Sequence, residues 1–193
     1  IAHGLDGERL RRQMSEIRAL NEHLDGIRVF SGIEVDIRAD GSLDLPHEIL
    51  SDLDIVIGAV HSAMNQSEEK MTSRVLGAIE NPDVDIIAHP TCRLLGQREP
   101  IAIDLEAVLR AAVNNNKVME VNAMPDRLDL NDVHAFRARE MGVKLAIETD
   151  SHSVTHLAFM RFGISVARRA WCEPQHILNT LPLEGVLAFL ARE

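Results

Sequence analysis

The segment from Val143 to His152 places two reactive side chains directly after an apolar stretch. Val143 to Ile147 predicts a buried strand, so Asp150 and His152 stand where that strand gives way to a loop. Side chains two apart on an extended backbone point the same way. A carboxylate and an imidazole that project together suit a divalent metal. The alternative is a helix N-cap, at Asp150 or Ser151, beside a solvated histidine.

Polar side chains also end the other four predicted strands. The five strand ends carry Glu34, His61, His89, Asn122 and Asp150. In parallel sheets and barrels, ligands bind outside the carboxyl ends of the strands. A single histidine after a strand is most often structural, and Glu34 alone could face water at a strand edge. Carboxylates and imidazoles at four equivalent positions are harder to explain by packing, and zinc, manganese or iron accepts all of them.

The elements that must position these side chains alternate along the chain. Apolar, β-branched runs predict strands at 27–37, 53–60, 84–88, 118–121 and 143–147. Helical spacing of apolar residues predicts helices at 7–24, 46–52, 68–80, 105–113, 131–141, 154–170, 174–180 and 183–191. This alternation predicts an α/β fold built from βα units around a mostly parallel sheet.

Composition narrows the class of protein. The 193 residues fit one domain, or one domain and a short appendage, and 46% hydrophobic residues can form a sizeable core. A net charge of −10 argues against a general electrostatic grip on nucleic acid, although 17 of the 20 basic residues are arginines and a local basic groove is compatible with that. No apolar run is long enough to span a membrane, and no signal peptide is visible. Two cysteines are too few for a disulfide framework, which predicts a reducing, cytoplasmic location.

Some candidate ligands are weaker. Cys92 follows His89 by three residues and could bind a metal, but a small buried thiol is the favoured interpretation. His3 is ambiguous. The remaining histidines are predicted to be structural or on the surface: His23, His47, His134, His156 and His176.

Five short motifs together resemble the polymerase and histidinol phosphatase (PHP) domain. They are Gly32-Ile-Glu34-Val-Asp36, Val60-His61-Ser62, Ala88-His89-Pro90, Glu120-Val-Asn122 and Thr149-Asp150-Ser-His152. The chain is most similar to the C-terminal PHP domain of bacterial family X DNA polymerases, a closer assignment supported by residues 40–44, 80–90, 93–96, 122–130 and 160–163. The resemblance covers nearly the whole chain, so residues 1–193 are interpreted as the C-terminal portion of one PHP domain.

The resemblance implies a distorted seven-stranded βα barrel that holds up to three divalent metals. A PHP domain carries a His-x-His motif on its first strand and a Thr-Asp-His-like motif on its second, and neither motif occurs here. The resemblance to a PHP domain begins, at Ile1, just after the position of that second motif. The expectation is therefore an incomplete barrel of five parallel strands with surrounding helices. Exposed sheet edges would then favour self-association.

The resemblance also assigns roles to individual side chains. Glu34 resembles the carboxylate that bridges two metals, and His61 and His89 resemble the imidazoles that complete the second site. Asp150 resembles a ligand of the first metal and His152 a ligand of the third. Only the second site keeps its expected protein ligands, so fewer than three metals are expected. Three residues resemble groups around a phosphate pocket: Arg93, Asn122 and Arg127.

The activity that the resemblance implies is metal-dependent hydrolysis of phosphoesters. In a family X polymerase this means a 3′–5′ exonuclease that processes DNA 3′ ends, with nucleotidyl transfer confined to an upstream polymerase domain. This chain alone is expected to be weakly active or inactive, because two of the metal sites lack ligands. One alternative is a free-standing phosphatase of the histidinol-phosphate type, acting on a small phosphate ester. Another is a non-catalytic PHP remnant that supports a polymerase.

Overall fold

The computed structural model describes residues 4–191 as a parallel β-sheet wrapped by helices. The strands are β1 (Gly32–Asp36), β2 (Ile55–Ala59), β3 (Ile86–Ile87), β4 (Val118–Asn122) and β5 (Lys144–Glu148). The helices are α1 (Gly7–Asn21), α2 (His47–Leu50), α3 (Glu68–Glu80), α4 (Leu105–Asn114), α5 (Asp132–Met141), α6 (Met160–Arg169) and α7 (Leu183–Leu190). Three 3₁₀ helices complete the described elements: Val154–Phe159, Pro174–His176 and Leu178–Thr180.

All five strands are parallel, and their order in the sheet is their order in the chain, β1 to β5. The predicted α/β class with five parallel strands and surrounding helices is confirmed. This topology places the carboxyl ends of all five strands along one rim. Side chains that end successive strands therefore become neighbours, whatever their separation in the sequence.

The helices that cover the sheet begin and end at recognisable sequence signals. Ser67, Asp104 and Asn131 cap α3, α4 and α5 by accepting a backbone N–H of the first turn. Gly142 ends α5 with φ of 86°, a left-handed conformation that glycine adopts without steric cost. Met71, Val75 and Ile79 of α3 are buried in the core, as their helical spacing predicts.

Two predicted helices differ in the structure. The segment predicted as one helix at 154–170 is a 3₁₀ turn followed by α6. The segment predicted at 174–180 is two 3₁₀ turns that meet at Ile177, whose backbone is extended and bridges Leu145 of β5. At Ile177, pairing with the edge strand β5 outweighs the local helix propensity.

Asparagine side chains form hydrogen bonds with backbone groups near both edges of the sheet. The amide of Asn179 donates to Ile147 O (2.7 Å) and accepts from Ile147 N (3.1 Å) on β5. The amide of Asn21 pairs with both backbone groups of Val29 at 2.8 Å, ahead of β1. The strand predicted from residue 27 accordingly begins only at Gly32. These hydrogen bonds leave fewer free backbone groups at the sheet edges for a second copy of the chain to bind. Self-association therefore stays a prediction, which sedimentation analysis can test.

Candidate metal centre

Three ligand side chains converge at the rim of the sheet. Glu34 lies on β1, His61 follows β2 and His89 follows β3, so neighbouring strands present them side by side. One ligand atom from each lies within 4.8 Å of the others, and within residues 4–191 this is the one such group of three. Glu34 Oε1 is 2.9 Å from His89 Nε2 and 3.3 Å from His61 Nε2. The spatial requirement for a shared cation is therefore met, and the donor set is one that zinc or manganese accepts.

The electrostatics of the triad favour a cation. Burial alone would raise the pKa of Glu34, but hydrogen bonds from His61 and His89 and their charges hold this pKa well below its usual range. The hydrogen bond to Glu34 raises the pKa of His61, burial opposes this, and Asp36 adds to the increase. Glu34 and Asp36 thus both stabilise positive charge next to them at His61, and positive charge is what a bound metal ion would supply.

Asp36 is a site residue that the sequence argument missed. Its Oδ1 lies 2.5 Å from His61 Nδ1, while His61 Nε2 faces Glu34. The N–H of Asp36 donates to Asp44 Oδ1 (3.0 Å), so this end of β1 is held in turn. A metal-binding histidine commonly donates its second ring N–H to a carboxylate, which fixes the tautomer and the orientation of the ring. The signal was available, because Asp36 is two residues after Glu34 on one strand and shares its face.

Replacing Asp36 by alanine is expected to weaken metal binding by about 10- to 100-fold, because His61 would lose the partner that orients its ring. Zinc titration followed by calorimetry measures the change. Asp36→Asn keeps an acceptor for the ring N–H and should retain most of the affinity. Equal affinities in the wild-type and Asp36→Ala chains would show that His61 needs no such partner.

Asp150 and His152 reach the same cleft by a different route from the predicted one. Strand β5 ends at Glu148, and Asp150 has φ of 48°, so the expectation of an extended backbone is wrong. The two side chains nevertheless approach each other, with His152 Nδ1 3.7 Å from Asp150 Oδ1. His152 Nδ1 donates to the backbone oxygen of Asp150 (2.8 Å), and its side chain is 75% exposed. Both residues line a cleft of about 210 Å³ with the triad, but neither belongs to the triad.

The three predicted phosphate-pocket residues occupy different depths. Arg127 lines the cleft, with Nε 3.6 Å from Asp150 Oδ2, and its buried Nη1 has no hydrogen-bond partner among residues 4–191. Asn122 is fully buried and donates to Asp150 Oδ2 (3.3 Å) and Glu120 Oε1 (3.1 Å). Arg93 is absent from the cleft lining, because its guanidinium donates to the backbone oxygens of Arg127 and Leu128. Arg93 therefore holds the loop that presents Arg127.

A pair of carboxyl groups, Glu120 and Glu148, lies beneath the rim. Glu120 accepts the backbone N–H of His89 and is buried. Burial, together with the charge of Glu148, raises the pKa of Glu120 well above its usual range. Burial also raises the pKa of Glu148 to about 7, opposed by a hydrogen bond to Glu120. The pair therefore holds a proton near neutral pH, which allows two carboxyl groups to sit together away from water.

Glu148→Gln is expected to stabilise the metal-free chain at pH 8 by roughly 1 to 3 kcal/mol. The protonated form of Glu148 stabilises the fold fully below its ordinary pKa of 4.5, and that contribution is lost as pH rises through about 7. Glutamine cannot ionise, so the variant and the wild type should converge near pH 5. Urea denaturation at both pH values tests this, with the exposed loop substitution Glu99→Gln as the control.

Cys92 behaves as the favoured interpretation predicted. Its thiol is buried, contacts Val60 O at 3.5 Å, and burial raises its pKa to about 12. It is not part of the triad. His134 is partly buried on α5, and burial lowers its pKa. His3 lies outside the described residues.

The chain is similar in sequence to a DNA polymerase/exonuclease and to probable phosphatases. No family model matches it. It is 43% identical over 192 residues to the DNA polymerase/3′-5′ exonuclease PolX of Bacillus subtilis (strain 168), covering 100% of this chain and 34% of that protein. It is 34% identical over 175 residues to a probable phosphatase of Thermoanaerobacter sp. (strain X514), covering 85% of this chain and 69% of that protein.

A solved structure supports the fold. Histidinol phosphate phosphatase from Lactococcus lactis subsp. lactis Il1403, complexed with zinc, L-histidinol and phosphate, matches with a TM-score of 0.55. The identity is 15%, over 88% of this chain and 76% of that one. Fold and site define an α/β domain with a candidate metal centre at the carboxyl ends of parallel strands. With these relatives, the chain belongs to the polymerase and histidinol phosphatase (PHP) family.

Within residues 4–191, no helix combines the length and the apolar character that crossing a membrane requires.

Proposed function

We propose that this chain is a metal-dependent phosphoesterase domain that hydrolyses the terminal phosphodiester of a DNA 3′ end. One observation carries the proposal: Glu34, His61 and His89 converge in one cleft with Arg127, whose buried Nη1 has no hydrogen-bond partner in the part of the chain that the structure describes. A cation site and an available guanidinium in one cleft are what a phosphate ester requires. The name of the Bacillus subtilis relative includes a 3′-5′ exonuclease, which agrees with this substrate.

Glu34, His61 and His89 would hold the metal, which we infer to be zinc, manganese or iron. When bound, such an ion supplies Lewis acidity: it makes hydroxide available near neutral pH and offsets charge on the phosphoryl oxygens. Asp150 and His152 line the same cleft and are proposed as ligands of further ions. In a chain with net charge −10, bound cations would be the main attraction for phosphate.

Arg127 is proposed to bind the phosphoryl oxygens directly. Its guanidinium faces the cleft and is oriented from two sides, by the carboxylate of Asp150 and by the loop that Arg93 holds. Because one guanidinium nitrogen is already desolvated and has no partner among the described residues, an anion that hydrogen-bonds to it would satisfy a buried donor. Asn122 positions Asp150 from below rather than contacting substrate.

Hydrolysis assays on the purified chain test the proposal. After dialysis against EDTA and addition of manganese or zinc, the chain is expected to release nucleotides from a 3′-labelled oligonucleotide slowly, and EDTA should abolish the release. Metal binding that is lost in Glu34→Ala would accompany it. Absence of both metal binding and hydrolysis would instead favour a non-catalytic remnant.

A second candidate function is hydrolysis of a small phosphate ester. The cleft of about 210 Å³ is small, and the Thermoanaerobacter relative is a probable phosphatase. The ratio of kcat/KM for an oligonucleotide and for p-nitrophenyl phosphate separates the two candidates. A ratio well below one would favour the small-ester phosphatase.

The chain spans about a third of the Bacillus subtilis relative, whose name also includes a DNA polymerase. A polymerase region in the same polypeptide is therefore a proposed partner, and the sequence upstream of Ile1 in the gene tests it. A nucleotidyltransferase domain there would support the DNA substrate.

A further inference from the structure

Four aromatic rings form a row that begins at the cleft. His152 and His156 have ring centroids 6.5 Å apart, and His156 and Phe159 stack at 5.1 Å with an interplanar angle of 25°. Phe159 and Phe162 follow at 5.9 Å. We call these four residues the ring row. The row extends along the 3₁₀ turn and the first turn of α6.

The ring row connects two concave regions of the surface. Its first member, His152, lines the cleft of the candidate metal centre. Its last member, Phe162, lines a second groove of about 340 Å³ together with Arg93 and Arg169. The two regions also adjoin along the backbone that Arg93 holds, since Arg127 lines the first and its neighbour Leu128 lines the second. A ligand longer than the cleft can therefore continue from one region to the other along the rings.

The segment that carries the row is unlike the rest of this acidic chain. Residues 151–172 contain three arginines and no aspartate or glutamate. Arg169 pairs with Asp132 at 2.6 Å, whereas Arg161 and Arg168 form no ion pair with any residue that the structure describes. Arg161 lies over the Phe162 ring, with Cζ 4.7 Å from its centroid. Local positive charge next to a cleft lined by carboxylates favours a polyanion that approaches along this segment.

Exposed apolar side chains flank the same segment. Val154 is 84% exposed and Leu157 is 60% exposed. A row of aromatic rings next to an arginine, here Arg161, is a combination that binds single-stranded nucleic acid, because every base has a face to stack and every linkage carries a charge. A purely apolar protein partner would leave the guanidinium of Arg161 without a counter-ion.

We propose that the ring row and Arg161 form a track for the single-stranded nucleotides adjacent to the scissile phosphate. This proposal rests on the proposed function, since it names how that site would hold a DNA end rather than a small ester. Bases would stack against His152, which is exposed, and against the accessible parts of the partly buried rings of His156, Phe159 and Phe162, and Arg161 would pair with a phosphate outside the cleft. The track would give the chain its preference for single-stranded DNA over a small phosphate ester.

Binding of an oligothymidylate with hydrolysis-resistant phosphorothioate linkages tests the track. The probe carries one 2-aminopurine near its 3′ end, whose fluorescence is quenched by stacking. Arg161→Glu is expected to weaken binding to the full chain about tenfold and to lower its salt dependence. Phe159→Leu keeps an apolar side chain but removes the ring face, and it should reduce the quenching together with the affinity.

Arg110→Glu is the matched control, because it reverses the charge of another exposed arginine, on α4. An equal loss of affinity in Arg110→Glu and Arg161→Glu would overturn the track in favour of a general charge effect. Unchanged binding in both Arg161→Glu and Phe159→Leu would also overturn the track. The same holds if two copies of the chain associate through this segment and no oligonucleotide binds. Turnover of p-nitrophenyl phosphate is measured in parallel: if the wild type hydrolyses this ester but does not bind the oligonucleotide, the track fails and the phosphoesterase stands.

Discussion

Glu34→Ala is expected to abolish binding of a metal ion to the triad and to reduce phosphoester hydrolysis to background. Glu34 Oε1 lies within 3.3 Å of a nitrogen of each histidine, so its removal takes away the group that both imidazoles share. Loss of a partner that only orients a ligand costs about 10- to 100-fold in metal affinity, and loss of a ligand should cost more. Calorimetry with zinc and a manganese-dependent hydrolysis assay measure the two effects.

Glu99→Ala provides the comparison for Glu34→Ala, because it removes an exposed loop carboxylate from the same acidic chain. It should leave both metal stoichiometry and hydrolysis unchanged. Thermal unfolding in EDTA establishes that each variant folds. If Glu34→Ala binds zinc as tightly as the wild type, the triad is not a metal centre and the proposed chemistry loses its basis.

Arg127→Ala is expected to lower kcat/KM for a phosphate ester by about 100-fold, with metal affinity unchanged. Arg127 lines the cleft beside Asp150, and a preorganised donor of this kind counts most where water is excluded. The inhibition constant of inorganic phosphate should rise in parallel, which gives a readout independent of turnover. Arg127→Lys restores the charge but not the planar pair of donors, so it should recover only part of the loss.

Two further variants locate the effect of Arg127. Arg137→Ala removes an arginine whose ion pair with Glu106 lies on the surface, and it should change neither constant. Arg93→Ala should produce an intermediate loss, because Arg93 holds the backbone of residues 127 and 128. A wild-type phosphate inhibition constant in Arg127→Ala would mean that this arginine does not contact the phosphoryl group.

The strand ends show why so much of the site could be predicted. In a parallel sheet whose spatial order follows the chain, residues at or near the carboxyl ends of neighbouring strands lie along one rim. Glu34 is the third of the five residues of β1, and His61 and His89 each lie two residues beyond their strand, so the three approach one another once the strands are placed. Hydrophobic periodicity placed those strands within a few residues. Helix α6 shows the limit, since its predicted start at residue 154 took no account of the 3₁₀ turn that carries the ring row.

Side-chain partners lay beyond prediction for a physical reason: they depend on distances between segments and not on local pattern. Nothing in the residues near Asn179 reveals that its amide would pair with Ile147, 32 positions away. The same holds for Arg93, which has the residue type of a phosphate ligand but uses its donors on two backbone oxygens.

The sequence by itself determined the α/β class, the parallel strands and the set of ligand-type side chains at their ends, because these follow from apolar periodicity and from residue types that metals accept. Only the tertiary structure decided which of those side chains share the triad, which are buried behind it, as Asn122 is, and which are exposed, as His152 is. Those outcomes depend on loop conformations such as the left-handed backbone of Asp150, and on hydrogen bonds such as that between Asp36 and His61. Both arise from packing between segments remote in the chain.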